Sequence, residues 1–489
     1  MTLKPHHSAY YFNSLTVENV RAFGPEQHLD LSDKAGNPAS WTLLLGENGV
    51  GKTTLLQCLA RMFPFPAFKN DTSGEKKKTR KDQGKPPKDQ GEPKYVEAEL
   101  LQHDNEEIER FFRFGSKVIT KLAASISTFS PSRQNGPLKK RKLNIAAEFN
   151  SEKGVILGQQ YDQVKFTLPR PGPLVIGYGA ARHIGHANRA RIMAQDPTVS
   201  LFRDSMDLYD AEDILADLRF AALDSRERAS VGFEGRTKDE SRLSSVLEAV
   251  AALLPDDNFK PSNIDIKGPK VPGRKESETG VQIKIDGTVI PLRDLSIGYQ
   301  TMLAWTVDLA WRLYEWYPLE DDPMRMPAVV LIDEVDLHLH PRWQRKLRGH
   351  LTEHFPGVQF IATTHSPITA QEALASGAGL CVVRTTSDGS EIINDPIPVG
   401  EWRLDQVVTS DLFGFISARS QVADQKLEKR RQLISKIKLT PEEKTELERL
   451  DQYALNLPVA SSPKDQQFAD DLRSVAERIK NEDTDDKSH

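Results

Sequence analysis

The sequence predicts an α/β fold built on a parallel sheet, and three observations carry that prediction. A short apolar run, Trp41 to Leu45, leads straight into a glycine-rich loop and a helical segment. Far along the chain, the apolar run 328–332 ends in two adjacent carboxylates, Asp333 and Glu334. A further apolar run, 358–364, follows a helical segment and ends in His365-Ser-Pro. Short apolar runs bounded by turn signals fit strands buried on both faces. Open parallel sheets bind ligands at the carboxyl ends of their strands, where all three polar clusters fall.

Composition narrows the function classes. The 489 residues suggest about two or three domains with ample length for a core. A net charge of -5 argues against a protein that coats nucleic acid along its whole surface, while leaving room for local basic patches. The two cysteines, Cys58 and Cys381, make no disulfide framework or zinc knuckle, so a reducing cytoplasm is expected. No apolar run reaches membrane-spanning length, and no membrane partner is expected.

In chain order, residues 12–32 read as a strand pair around Gly24-Pro25. The loop Gly46-Glu47-Asn48-Gly49-Val50-Gly51-Lys52-Thr53-Thr54 matches the phosphate-loop pattern at every fixed position, between a strand and a helix expected over 54–62. Its glycines let backbone N–H groups wrap a phosphate at the helix N-terminus. Lys52 reaches the terminal phosphates, and the Thr53 hydroxyl ligates magnesium. ATP and Mg2+ are therefore the expected cofactors. Residues 70–94 are lysine-rich with almost no apolar residues, which fits a solvated disordered insert or a basic loop touching nucleic acid. Lys139 to Lys142 form a second basic cluster with the same two readings.

Residues 95–176 lean to strands and suit a small antiparallel sheet. Residues 173–179 form an apolar strand ending in a glycine-rich turn before Arg182 and His183. Residues 200–255 are helical, with apolar faces at Ile214, Leu215, Leu218 and Ala222, then Leu243, Val246, Val250 and Leu253. Residues 256–280 read as loop, and Asp286-Gly287 marks a hairpin. Ser296, Gly298 and Gln300 form S-x-G-x-Q before a strongly apolar helix from Met302 to Trp316; an ordinary helix cap fits the same residues. Trp343, Leu347 and Leu351 give the segment after the carboxylates a helical face. Beyond residue 400, Thr440-Pro-Glu-Glu443 is a capping box between a basic and an acidic helix, predicting a helical hairpin and a disordered tail over 481–489.

The order of these motifs resembles an ABC-type ATPase head of the SMC and RecF-like branch. Thr53 and Ser296 are 243 residues apart (296 − 53), and Asp333 lies 37 beyond Ser296 (333 − 296), a wide first gap that is similar to that branch. The insert lacks the long heptads of an SMC arm. The 333–341 stretch, Thr363-Thr-His-Ser-Pro367, Tyr178 to Arg182 and the segment 404–414 resemble stand-alone ATPases of bacterial anti-phage systems, the OLD-type and Septu ATPases among them. The resemblance implies a P-loop NTPase head of ABC type with a mixed sheet, an antiparallel β subdomain, a helical insert and a C-terminal helical hairpin. It divides the chain into half-head 1–69, basic insert 70–94, β-rich insert and core strand 95–199, helical subdomain 200–280, half-head 281–400 and hairpin with tail 401–489. The residues after His365 are too few for the Toprim nuclease of OLD proteins, so no nuclease site is expected.

The implied chemistry is ATP hydrolysis between two heads paired head to tail. Lys52 and the loop amides hold phosphate, Thr53 and Asp333 hold magnesium, and Glu334 positions or deprotonates the attacking water. Ser296 and Gly298 of the other subunit meet the terminal phosphate, with Gln300 in the same signature. His365 contacts that phosphate and Asp336 couples the two sites. Gln102 and Gln160 are candidates for the Q-loop glutamine. The implied partners are a second copy, or a higher oligomer, and a separate effector such as an HNH nuclease. Competing readings are a RecF-like DNA-repair ATPase that binds DNA directly, a nucleotide-regulated scaffold with negligible turnover, and an AAA+ ring.

Overall fold

The computed structural model describes residues 8–63, 65–66, 95–99, 119–131, 138–150, 155–161, 167–169, 172–180, 182–184, 196–203, 206–229, 236–253, 259–267, 280–285, 287–394, 396, 400–413, 417–436 and 438–457. The basic insert 70–94, Gln102 and the tail 481–489 lie outside them. The chain divides into two compact units, 1–401 and 402–489.

The first unit is organised by a six-stranded sheet in the order Val175–Tyr178, Ala328–Ile332, Val358–Thr364, Trp41–Leu45, Gly379–Thr386, Gly389–Asn394. The first five strands run parallel, and the last closes an antiparallel hairpin. Every residue of the strands 41–45, 328–332 and 358–364 is buried, which is why their sequences are continuous apolar runs rather than alternating ones. The hairpin 379–394 escaped the sequence reading, although Asp388-Gly389 between two β-branched runs is a usable turn signal.

A five-stranded antiparallel sheet covers the phosphate-loop side, in the order Gln27–Asp30, Ala9–Glu18, Ile119–Pro131, Leu138–Asn150, Val155–Tyr161. Its strand 9–18 comes from the N-terminal segment, so the two sheets share one core: Leu15, Val17, Leu122, Ile126, Leu143 and Ile145 pack into the same cluster as Leu55, Leu59 and Val329. Gln160 sits on the edge strand of this sheet, opposite Ala146.

The helices Ala211–Arg228 and Lys238–Ala251 bury the faces expected, through Ile214, Leu215, Leu218 and Ala222, and Leu243, Val246 and Val250. Asp210 caps the first and a Thr237–Glu240 capping box opens the second. The expected loop 256–280 is corrected in part. Ile264–Ile266 is a strand pairing antiparallel with Val281–Ile285, because Ile264 and Ile266 are buried against it while Asp265 faces out. The signature helix also starts earlier than expected, spanning Ile297–Trp316, and the phosphate-loop helix spans Lys52–Arg61. Among the described residues no helix is long and apolar enough to cross a membrane.

The second unit carries an antiparallel-type helix pair, Gln421–Ile434 and Pro441–Leu455. Cross-links between Lys436 and Glu443, Lys429 and Glu446, and Arg430 and Asp451 join residues 7, 17 and 21 apart across the same turn, as a hairpin requires. The Thr440–Glu443 capping box is formed.

Candidate nucleotide site

The site forms where the strands 41–45, 328–332 and 358–364 end. Two glycines shape the loop. Gly51 has φ 101°, and a Cβ there would lie 2.7 Å from the Phe23 ring; a Cβ on Gly46 would lie 2.2 Å from the Val383 carbonyl oxygen. Only glycine fits either place. The loop, with Arg21, Ala22, Lys52, Thr53, Thr54, Asp333, Glu334 and His365, lines a cleft of about 350 Å³.

Lys52 Nζ donates to the carbonyls of Gly46 (2.9 Å) and Glu47 (2.7 Å) and lies 3.1 Å from His365 Nε2. Burial lowers its pKa, opposed by the nearby Asp333 and Glu334. Burial, with the Lys52 cation second, also lowers the pKa of His365. A neutral His365 is the form that can accept from the lysine. The Thr53 hydroxyl donates to Asp333 Oδ2 at 2.7 Å, which brings together two hard oxygen donors from distant parts of the chain. This pairing, the inward glycine-shaped loop and the lysine fit a magnesium–nucleotide complex.

The carboxylate pair is held by a residue the sequence reading missed. Thr363, fully buried in the neighbouring strand, donates through Oγ1 to Asp333 Oδ1 (2.6 Å) and accepts the Glu334 N–H (2.7 Å). Glu334 adopts φ 48°, a left-handed conformation that turns its side chain from the strand toward the cleft. The next threonine, Thr364, donates to Asp336 Oδ1 (2.9 Å), and Thr369 reaches Oδ2 (3.4 Å). The Asp336 carboxyl is therefore engaged within its own head, and burial raises its pKa. Arg21 is a second missed residue. It lines the cleft at φ 44°, and its guanidinium donates to Thr54 (3.4 Å) and Gln57 (3.2 Å). A lone arginine in a turn carries no sequence signal that separates it from a surface one.

The signature residues are placed elsewhere. Ser296, Gly298 and Gln300 are not among the residues lining the cleft. Ser296 stands at the N-cap of the signature helix, yet its exposed hydroxyl makes no capping hydrogen bond. Gln300 instead folds back to the carbonyls of Arg293 and Leu295, both at 2.6 Å. Ile297 beside it is 65% exposed.

A phosphate loop, a carboxylate-tipped strand two positions away in a parallel sheet and a late histidine define a class: an α/β fold with a P-loop nucleotide site at the carboxyl ends of its strands. Two family models match the chain, "AAA domain, putative AbiEii toxin, Type IV TA system" over residues 284–370 and "AAA domain" over 14–169.

Among individual proteins, it is similar to a Septu protein PtuA of Bacillus mycoides, 23% identical over 83% of this chain and 46% of that protein. It is also similar to the Retron Vc95 probable ATPase of Vibrio cholerae, 38% identical over 22% of this chain and 19% of that protein. The chain thus spans less than half the length of these relatives. A solved SMC head bound to the C-terminal winged-helix domain of ScpA is 14% identical, covering 79% of this chain and 98% of that one, at a TM-score of 0.40. At that score the fold assignment rests on the strand order and not on the superposition.

Proposed function

We propose that this chain binds and hydrolyses ATP, pairs with a second copy around the nucleotide, and thereby regulates a separate effector in an anti-phage defence system. The carrying observation is the split site. One head supplies Lys52, Thr53, Asp333, Glu334 and His365 to a common cleft, while Ser296, Gly298 and the exposed Ile297 are not among the residues lining it. A signature that does not line its own cleft is suited to serve another head's.

In this reading Lys52 leaves the loop carbonyls for the terminal phosphates, and the loop N–H groups hold the others. Thr53 and Asp333 would hold magnesium, which supplies neutralising charge on the phosphates when bound. Glu334, aimed by its left-handed backbone and by Thr363, orients or deprotonates the attacking water. His365 meets the terminal phosphate beside it. Asp336, braced by Thr364 and Thr369, fixes the loop that faces the partner head. These are positioning and charge-stabilising tasks, which is what phosphoryl transfer needs. The similarity to a Septu protein and to a retron ATPase supports the defence role, and an HNH nuclease is the effector expected for it.

The test is Glu334→Gln, with phosphate release and sedimentation both measured. The expected outcome is lost hydrolysis with an ATP-stabilised dimer; wild-type turnover would remove Glu334 from the mechanism. Co-purification from the native host tests the effector.

A second reading, direct DNA binding of the RecF type, is favoured by Lys139, Lys140, Arg141 and Lys142, all exposed on one strand. Salt-dependent binding of duplex DNA by the isolated chain would support it.

A further inference from the structure

The signature helix carries a buried charge that the nucleotide chemistry does not use. Asp308 is 0% exposed. Its Oδ2 accepts from the Tyr178 hydroxyl and from Arg312 Nε, each at 2.7 Å, and its Oδ1 accepts the Tyr209 N–H at 3.1 Å. The Arg312 guanidinium lies over the Tyr209 ring, 5.1 Å from its centre. A buried ion pair is weak support for stability, since apolar residues of the same volume often serve as well. Its placement is more informative.

Tyr178 touches two things at once. Its side chain holds Asp308, and its backbone carbonyl accepts the N–H of Asp333 at 2.8 Å. In the first turn of the helix, Gly298 lies against the His338 carbonyl, where a Cβ would come within 2.9 Å. The signature helix is therefore linked to Asp333 through Tyr178, and its first turn packs closely against His338. Ser296 precedes Asp308 by twelve residues (308 − 296), roughly 18 Å along the axis of a rigid helix.

We propose that Tyr178, Asp308 and Arg312 are positioning residues that lock the signature helix to the magnesium-carboxylate strand, so that the state of a head's own nucleotide is passed to the signature it offers its partner. The proposal rests on the paired-head reading above. In such a pair Asp333 serves one ATP and Ser296 of the same chain serves the other, so a lock between them links the two sites.

Tyr178→Phe is the cleanest probe. It keeps the ring in edge contact with Trp305, whose centre is 5.6 Å away, and leaves Asp308 with Arg312 and the Tyr209 amide. The expected result is a kcat at least about fivefold lower with KM within about twofold, and no further loss when Tyr178→Phe is added to Ser296→Ala. An unchanged kcat in Tyr178→Phe overturns the proposal. So do single effects that multiply in the double variant, the signature of a merely structural role. Phosphate release by the wild-type chain, with Glu334→Gln as its control, separates the two levels: if the wild type releases no phosphate above background, the ATPase reading fails. The lock is then judged on ATP-dependent dimerisation of the same three variants, where additive effects overturn it and non-additive effects support it.

Discussion

Thr363→Val tests the support of the carboxylate pair. The substitution exchanges a buried hydroxyl for a methyl of nearly the same volume. It removes a donor to Asp333 at 2.6 Å and the acceptor of the Glu334 N–H at 2.7 Å. A hydrogen bond to a charged group contributes about 1.5–3 kcal/mol, and a buried N–H left unmade costs about 1–3 kcal/mol. Glu334 also stands at φ 48°, a conformation that costs a non-glycine residue roughly 1–2 kcal/mol and that this N–H bond helps to hold. These contributions overlap, and a net loss of about 2–4 kcal/mol follows. If half of it falls on the transition state, kcat drops roughly 5- to 30-fold at 1.4 kcal/mol per factor of ten. The assay is phosphate release at saturating ATP, beside a urea unfolding curve and binding of a fluorescent nucleotide. Thr363→Ser, which keeps the hydroxyl, should recover most of the turnover. Wild-type turnover in Thr363→Val, or a serine variant as impaired as the valine one, would refute the reasoning.

Three other outcomes are expected. Gly51→Ala forces a Cβ to 2.7 Å from Phe23 at φ 101°, so nucleotide affinity should fall at least about fivefold from strain of roughly 1–3 kcal/mol, and titration calorimetry reads it directly. Burial, helped by neighbouring His354, pushes the pKa of His350 down to about 3, below the unfolded value of about 6.5. The unfolded chain then binds the extra proton first, so stability falls as pH drops from about 6.5 toward 3, by up to roughly 1.4 kcal/mol per unit from this group. His350→Leu should flatten that slope in unfolding curves taken at successive pH values, leaving the smaller parts from His354 and His365, whose pKa values are also lowered. Thr440→Ala removes a formed capping box worth about 1 kcal/mol, and hydrogen exchange of the amides that open the following helix should speed up roughly fivefold.

The sequence by itself determined the elements whose causes are local. The loop 46–54 is written in contiguous residues, and its glycines state its geometry. The runs 41–45 and 358–364 match the observed strands because burial on both faces leaves no alternating exposed position, and their few polar residues, Thr42, Gln359, Thr363 and Thr364, are buried too. The helical faces of 211–228 and 238–251 were legible from their spacing, and the Thr440–Glu443 capping box from two residues three apart. The order of phosphate loop, signature, carboxylates and histidine could be recognised without any coordinates.

Tertiary structure alone decided what depends on neighbours distant in sequence. Ile264–Ile266 is a strand only because Val281–Ile285 pairs with it, so its loop-like surroundings misled the local reading. The antiparallel sheet takes its second strand from residues 9–18, a long-range choice set by the shared core. Thr363 reads as one more β-branched strand residue until register sets Val358–Thr364 beside Ala328–Ile332 and brings its hydroxyl to Asp333. Tyr178 reads as an apolar strand end until Asp308, 130 residues away, accepts its hydroxyl. The signature's separation from its own cleft is likewise a matter of direction, which spacing along a chain does not encode. Local pattern states which groups are present, and the sheet's strand order states which of them meet.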